Sequence, residues 1–238
     1  MTSDWRGLPI AVVGCGGLGV PAAWTLAYAG ARHLRLIDGD VVETSNLHRQ
    51  VLYREQQIGQ RKVDALKAAL RRRFPTLTVE VCVEPFTPDN LEQTLAGCIA
   101  VVEGTDDAHC KFLVNDVVVR GRDADFNLPR VAVIAAAIGR RAQWFTLTER
   151  SACYRCLFEE PPPVESLATC DTAGVLGPVV GVGGGAAARA LVDTLDGATE
   201  ADKAALIQRQ KGRWRSTMVR PAEDCLCAAT RSVTSVDV

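Results

Sequence analysis

The chain of 238 residues has few rings and few histidines. Phe, Trp and Tyr together make up 5%, and there are three His. That leaves little surface for stacking on nucleic-acid bases. An excess of one charge is also missing: Lys+Arg 27 stand against Asp+Glu 28, a net charge of -1. No broad basic field therefore points to nucleic acid. Long hydrophobic runs are absent. The longest uncharged apolar stretch, Ala173 to Ala188, holds six glycines and a proline and is too short for a bilayer span. The opening MTSDWRGLPIAVVG lacks the basic region and cleavage site of a secretion signal, so a cytoplasmic location without membrane contact is expected. His33, His48 and His109 show no metal-ligand spacing, and no Ser/His/Asp arrangement is visible.

What is present is ordinary for a globular protein: 47% hydrophobic and 23% charged residues. Intrinsic disorder and coiled coil are excluded for most of the chain. Neither an internal repeat nor a linker stands out, so one unit is expected over residues 1–238. Cysteine is abundant, at nine. An odd count without a secretion signal favours metal ligation or catalysis over a disulfide framework.

The apolar run Leu8–Val13 reads as a buried strand. Ala-rich Val20–Ala29 reads as a helix stopped by Gly30. Further strands are expected at His33–Ile37, Thr78–Val83, Ile99–Val102, Val131–Ala136, Ala142–Leu147 and Trp214–Val219. Helices are expected at 55–74, Asn90–Leu95, Cys110–Val119 and 178–196. This alternation predicts an α/β fold, a Rossmann-like, mostly parallel sheet flanked by helices. Residues 150–172 break the pattern with Cys153, Cys156, Pro161–Pro163 and Cys170, and read as a long functional loop.

GCGGLG, residues 14–19, follows a strand and opens a helix. Gly14, Gly16, Gly17 and Gly19 there allow a tight turn and close approach of backbone to phosphate, with the helix N-terminus facing the anion. Asp38, 19 residues past Gly19 at the end of the second strand, suits a ribose hydroxyl. The pair leaves NAD and ATP both open. Ser45-Asn46-Leu47-His48-Arg49-Gln50 and Lys62 then add cations that a dinucleotide does not need and a triphosphate favours. Asp106 and Asp107 follow the strand Ile99–Val102, where a carboxylate can hold Mg²⁺ or, like Thr105, cap the next helix, and one can cap while its neighbour binds metal. Residues 1–149 thus form the nucleotide-binding part. Residues 150–238 hold the crossover loop, the last helix and two thiol pairs.

Cys153-Tyr-Arg-Cys156 is C-x-x-C, and Cys225-Leu-Cys227 is a tighter C-x-C. Four thiolates converging tetrahedrally would make a structural zinc site. The first pair does not open a helix after an initial strand, which argues against a redox motif. Cys15, Cys82, Cys98 and Cys110 read as packing cysteines. Cys170 stands apart in a polar loop, where a casual thiol and a reactive one are equally consistent with the residues.

Taken together, GCGGLG, DGDVVETSNLHRQ, IGQRKVDA, GTDD, CYRCL, CDTAGVLGPVVGV and WRS resemble, in order and spacing, the ThiF/MoeB/HesA family of ubiquitin-activating-enzyme-like adenylyltransferases. CYRCL and the segment after Thr169-Cys170 look closest to its ThiF branch. The resemblance implies ATP at the glycine turn, with Gly17 near the phosphates and Asp38 on the ribose. It puts phosphates on Ser45, Asn46, Arg49 and Lys62, Mg²⁺ on Asp106, and Asp107 where the family usually has Asn. It implies zinc on Cys153, Cys156, Cys225 and Cys227, and a reactive Cys170. The implied activity adenylates the C-terminal glycine of a small ubiquitin-like sulfur carrier ending in Gly-Gly, for thiamine or related cofactor chemistry. A homodimer and a persulfide donor such as a cysteine desulfurase go with it.

The family carries an arginine ahead of the first strand that is donated to the partner's site, and Arg6 lies too close to the strand to stand for it. Gly183–Gly185 and Arg189 replace positions that are often bulkier or acidic. The rival readings are activation of another peptide in secondary metabolism, a non-catalytic scaffold, and an NAD-dependent oxidoreductase.

Overall fold

The computed structural model describes residues 4–84, 86–123, 125–163, 174–197, 204–210 and 213–229. Eight strands form one sheet in the order β3-β2-β1-β4-β5-β6-β7-β8. They are β1 Ile10–Val13, β2 His33–Ile37, β3 Thr78–Cys82, β4 Ala100–Glu103, β5 Val131–Ile138, β6 Arg141–Leu147, β7 Ala204–Gln210 and β8 Arg213–Val219. Pairings from β3 through β5 are parallel. Those from β5 to β8 are antiparallel. The helices are α1 Gly19–Tyr28, α2 Lys62–Arg73, α3 Leu91–Leu95, α4 Ala108–Arg120, α5 Arg155–Phe158, α6 Gly177–Leu195 and α7 Leu226–Ala229.

Every residue of β1 is buried, because both faces of the sheet are covered. Ile10 and Val12 pack with α1, α2 and α6. Ala11 and Val13 pack with α4 and Tyr154 on the other side. That two-sided burial is why the strand reads as a continuous apolar run. The chain crosses from β1 to β2 on one side and reaches β4 on the other. The strand order reverses at β1, and a crevice opens beyond the C-terminal ends of β1, β2 and β4.

Three sequence expectations are corrected. The helix expected over 55–74 is broken: Glu55–Gln57 is a separate 3-10 turn, Gly59 has φ of +85°, and α2 begins only at Lys62. Strand β7, Ala204–Gln210, is additional to the strands expected from the sequence. The loop of 150–172 contains the helical turn α5, while residues 164–173, with Cys170, lie outside the described residues.

The glycines of α6 have a packing cause. A Cβ on Gly184 would sit 2.1 Å from the carbonyl oxygen of Leu18, and one on Gly183 2.9 Å from the Cβ of Ala142. Helix α6 therefore lies directly on the start of α1 and on β6. Gly181 faces open space in the same helix. Gly181→Ala is expected to stabilise the protein by up to about 1 kcal/mol, from helix propensity alone. Gly184→Ala is expected to cost about 1–3 kcal/mol through overpacking. Urea denaturation of the two variants checks this, and equal stabilisation by both would disprove the close contact.

Candidate active site

The turn after β1 is built from glycines with different tasks. Gly14 has φ of +85°, and a Cβ there would meet Thr105 at 2.9 Å. A Cβ on Gly19 would sit 1.7 Å from the Gly14 carbonyl oxygen, so this glycine serves packing and does not line the cleft. Gly14, Gly16 and Gly17 do line it. Helix α1 itself offers an anion little: Val20 N donates to Gly16 O, Pro21 has no N–H and Ala22 N donates to Leu18 O. An anion here would instead meet the turn amides of Gly16 and Gly17, which line the cleft.

Asp38, at the end of β2, ties these parts together. Its Oδ2 accepts from Cys15 N at 2.6 Å and its Oδ1 from Asp40 N at 2.8 Å. Burial pushes the Asp38 carboxyl up; Lys62 and the two amides pull against that without reversing it. Lys62 Nζ donates to Asp40 Oδ2 at 2.6 Å. The lysine side chain is 9% exposed and its partner 72% exposed. Tyr53 Oη reaches Cys15 O at 2.7 Å and Lys62 O at 3.2 Å.

Residues 41–61 form a closed loop, with Val41 bridged to Arg61 and Val42 bonded to Gln60 and Gly59. Its polar turn puts Asn46, Arg49 and Gln50 on the cleft wall. Asn46 Oδ1 accepts from Arg49 Nη2 at 2.7 Å and from Gln50 Nε2 at 3.1 Å. Ser45 is not on the wall; its hydroxyl donates to Glu43 and accepts from Asn46. Gln50 Oε1 is buried without a hydrogen-bond partner, an acceptor that a ligand hydroxyl or amide would satisfy.

At the end of β4, Glu103 is fully buried and accepts from Lys111 Nζ at 2.7 Å. Lys111 also donates to Thr105 O and Ala135 O. Burial pushes the Glu103 carboxyl up, opposed by Lys111 and Thr105. Asp107 caps α4 by accepting from His109 N at 2.8 Å. Asp107 and its neighbour Asp106 both line the cleft, where a carboxylate facing phosphates is a usual Mg²⁺ ligand.

The cleft has a volume of about 1170 Å³. Beyond the nucleotide-sized end it continues past Phe112, Tyr154 and Phe158 to Gln143 and Gln208. Arg6 is elsewhere: it precedes β1 at the opposite end of the sheet and pairs with Asp196.

The four late cysteines converge. Sγ–Sγ separations are 3.8 Å for Cys153–Cys156, 3.4 Å for Cys153–Cys225 and 3.4 Å for Cys156–Cys227, and all four sulfurs lie within 4.8 Å. Zinc with four sulfurs at ~2.3 Å requires edges of ~3.8 Å, so the donor set fits, C-x-C included. The contact with Cys153 holds the Cys227 thiol down, while the same contact and burial push Cys153 up. Four thiolates this close would repel one another unless a cation lay between them. Helix α4 braces the turn: Arg155 pairs bidentately with Asp116, and Tyr154 N donates to Asn115 Oδ1 at 2.7 Å. Cys15, Cys98 and Cys110 are buried and Cys82 partly so.

Sequence reasoning passed over Glu103, Lys111, Tyr53 and Asp40. The signal for Glu103 was a lone charge ending an apolar strand. A lysine within a helix carries no such signal, and only the fold shows Lys111 buried.

The ThiF family profile matches residues 2–229. The chain is 37% identical over 184 residues to the adenylyltransferase and sulfurtransferase uba4 of Pyricularia oryzae, covering 74% of this chain and 36% of that protein. To the adenylyltransferase and sulfurtransferase MOCS3 of Culex quinquefasciatus it is 37% identical over 174 residues, covering 73% and 38%. The chain thus spans little more than a third of these relatives. In fold it is similar to E. coli MccB crystallised with ATP, with TM-score 0.79, 20% identity and coverage of 96% of this chain and 69% of that one. No helix among the described residues is long and apolar enough to cross a membrane. The profile match over nearly the whole length, together with these relatives, makes the chain a member of the ThiF family.

Proposed function

We propose that the protein is an ATP-dependent adenylyltransferase that activates a C-terminal carboxylate as an acyl adenylate. One observation carries the reading: the glycine turn before α1, the cations Arg49 and Lys62 and the carboxylate Asp106 share one cleft. A dinucleotide, whose phosphates meet backbone amides, needs no such clamp, and this weighs against the oxidoreductase reading. The names of the relatives, which pair adenylyltransferase with sulfurtransferase, support the same conclusion.

In the proposed step a carboxylate oxygen of the acceptor forms a bond to the α-phosphorus of ATP. The bond from that phosphorus to the bridging oxygen breaks, and pyrophosphate leaves with the electron pair. The glycine-turn amides receive phosphate oxygens, Asp38 the ribose, and Arg49 and Lys62 neutralise charge on the leaving group. To reach a phosphate, Lys62 exchanges Asp40 for it. Mg²⁺ held by Asp106 would screen the phosphates from the incoming carboxylate. The acceptor we favour is a small ubiquitin-like sulfur carrier ending in Gly-Gly, with the far end of the cleft taking its tail. Assignment to thiamine rests on the ThiF-like segments alone. A homodimer, a persulfide donor and structural zinc complete the proposal.

ATP–pyrophosphate exchange in the presence of the carrier tests it. Arg49→Ala and Lys62→Ala should each lose about 10²–10³ in rate while remaining folded. Asp106→Asn should need far more Mg²⁺, whereas Asp107→Asn, which keeps a capping side chain, should change little. Wild-type exchange in either cation variant would refute the clamp. Exchange stimulated by another peptide but not by a Gly-Gly carrier would move the acceptor to secondary metabolism.

For zinc, metal analysis of the purified protein should find about one ion per chain. Cys153→Ser and Cys225→Ser should release it and lower the melting temperature. Zinc-free protein of unchanged stability would remove the site.

Sulfur transfer is assigned to Cys170 on the resemblance only. Cys170→Ala should leave ATP–pyrophosphate exchange intact and abolish a carrier–enzyme adduct under non-reducing mass spectrometry. Persistence of the adduct would make it an ordinary thiol.

A further inference from the structure

Tyr53 is buried beneath the cleft, and its phenol touches the two elements that the proposed reaction must hold in register. Its oxygen lies 2.7 Å from the carbonyl of Cys15, in the glycine turn, and 3.2 Å from the carbonyl of Lys62, the first residue of α2. Burial, and after it the nearby Cys15 and Asp38, push the phenol's pKa up, so it stays protonated and remains a donor. Cys15 is gripped from both sides, since its own N–H donates to Asp38 Oδ2 at 2.6 Å.

The peptide plane gives this grip a consequence. The Cys15 carbonyl and the Gly16 N–H belong to one planar trans unit and point in opposite directions. A hydrogen bond that fixes the carbonyl toward Tyr53 therefore fixes the Gly16 amide away from it. Gly16 lines the cleft and Tyr53 does not. The contact network closes on itself: Tyr53 to Cys15, Cys15 to Asp38, Asp38 to Asp40, Asp40 to Lys62, and Lys62 back to Tyr53.

We propose that Tyr53 is a positioning residue: its hydroxyl aims the Gly16 amide and sets the spacing between the glycine turn and Lys62 for the phosphate-bearing substrate. The inference rests on the ATP-dependent reading above. Tyr53 touches no reacting atom and acts through Gly16 and Lys62. Small displacements of such groups cost about 10²-fold in rate.

Tyr53→Phe keeps the ring and its packing and removes the hydroxyl. Well below its melting temperature it should show kcat for ATP–pyrophosphate exchange lowered about 10- to 100-fold, with KM for ATP changed much less. Hydrogen–deuterium exchange of the ligand-free protein should speed up at Gly16 and the first turn of α2 and stay unchanged in α4. In a Lys62→Ala background the same substitution should lose less, by the part of its effect that runs through the missing amine, and keep the part that runs through Gly16. Unchanged kcat in Tyr53→Phe, or a lowered melting temperature with no change in kcat, overturns the inference. So does a full additive loss in the double variant. A wild type without any exchange activity would instead overturn the adenylyltransferase reading, and faster deuterium uptake at Gly16 in Tyr53→Phe would still report the grip on the turn.

Discussion

The hydrogen bond from the Cys15 amide to the Asp38 carboxylate is what the rest of the cleft depends on. It joins the end of β2 to the turn after β1, two segments that meet only because their strands are parallel neighbours. Bonds to a charged acceptor contribute about 1.5–3 kcal/mol each, and Asp38 accepts two from backbone amides. The second amide belongs to Asp40, whose carboxylate holds Lys62. The glycine turn, the end of β2 and the start of α2 are thereby set against one another before any ligand arrives. Such preorganisation is what lets fixed donors stabilise charge without rearranging during a reaction.

The two lysines of the cleft divide into different kinds of group. Lys111 has all three of its protons taken, by Glu103, Thr105 O and Ala135 O, and its counter-ion is wholly buried. Removing either charge would strand the other out of water, at a cost of several kcal/mol. That lysine is a fixture, holding the β4–α4 turn that carries Asp106. Lys62 is paired with a carboxylate that is mostly in water. Once released, Asp40 is solvated by water, so exchanging it for a phosphate leaves no buried charge unpaired. Lys62 is therefore the cation that can change partners, and it stands beside the glycine turn where a phosphate would arrive.

What the sequence made legible was local. Glycines before a helix, a carboxylate at the next strand end, and thiols spaced C-x-x-C are each a few residues long and keep their meaning out of context. The broken helix over 55–74 was less legible, because Val63, Leu66 and Leu70 carry a true helical stripe and residues 55–61 hold no proline to mark where it starts. Strand β7 was hidden because AALIQRQ alternates only weakly and is stabilised by pairing with β6 and β8. Ser45 and Gly19 illustrate the opposite limit. Both sit inside the motifs, yet one turns its hydroxyl toward Glu43 and the other lies against the Gly14 carbonyl. A motif marks a segment, and the fold decides which of its side chains face the ligand.

Helix α4 shows how distant parts of the chain come to act as one. Its N-terminal cap is Asp107, beside Asp106 on the cleft. One turn on, Lys111 binds β4 and β5. Another turn on, Asn115 and Asp116 hold Tyr154 and Arg155 between the first pair of thiols. Lys111 and Asn115 are four residues apart and so share a face of the helix, among Cys110, Phe112, Val114, Val117 and Val118 of the apolar core. These polar groups in a core-facing helix are offset by their hydrogen bonds, and they have a mechanical result. The cysteine cluster and the cleft are fastened to opposite ends of the same rigid rod.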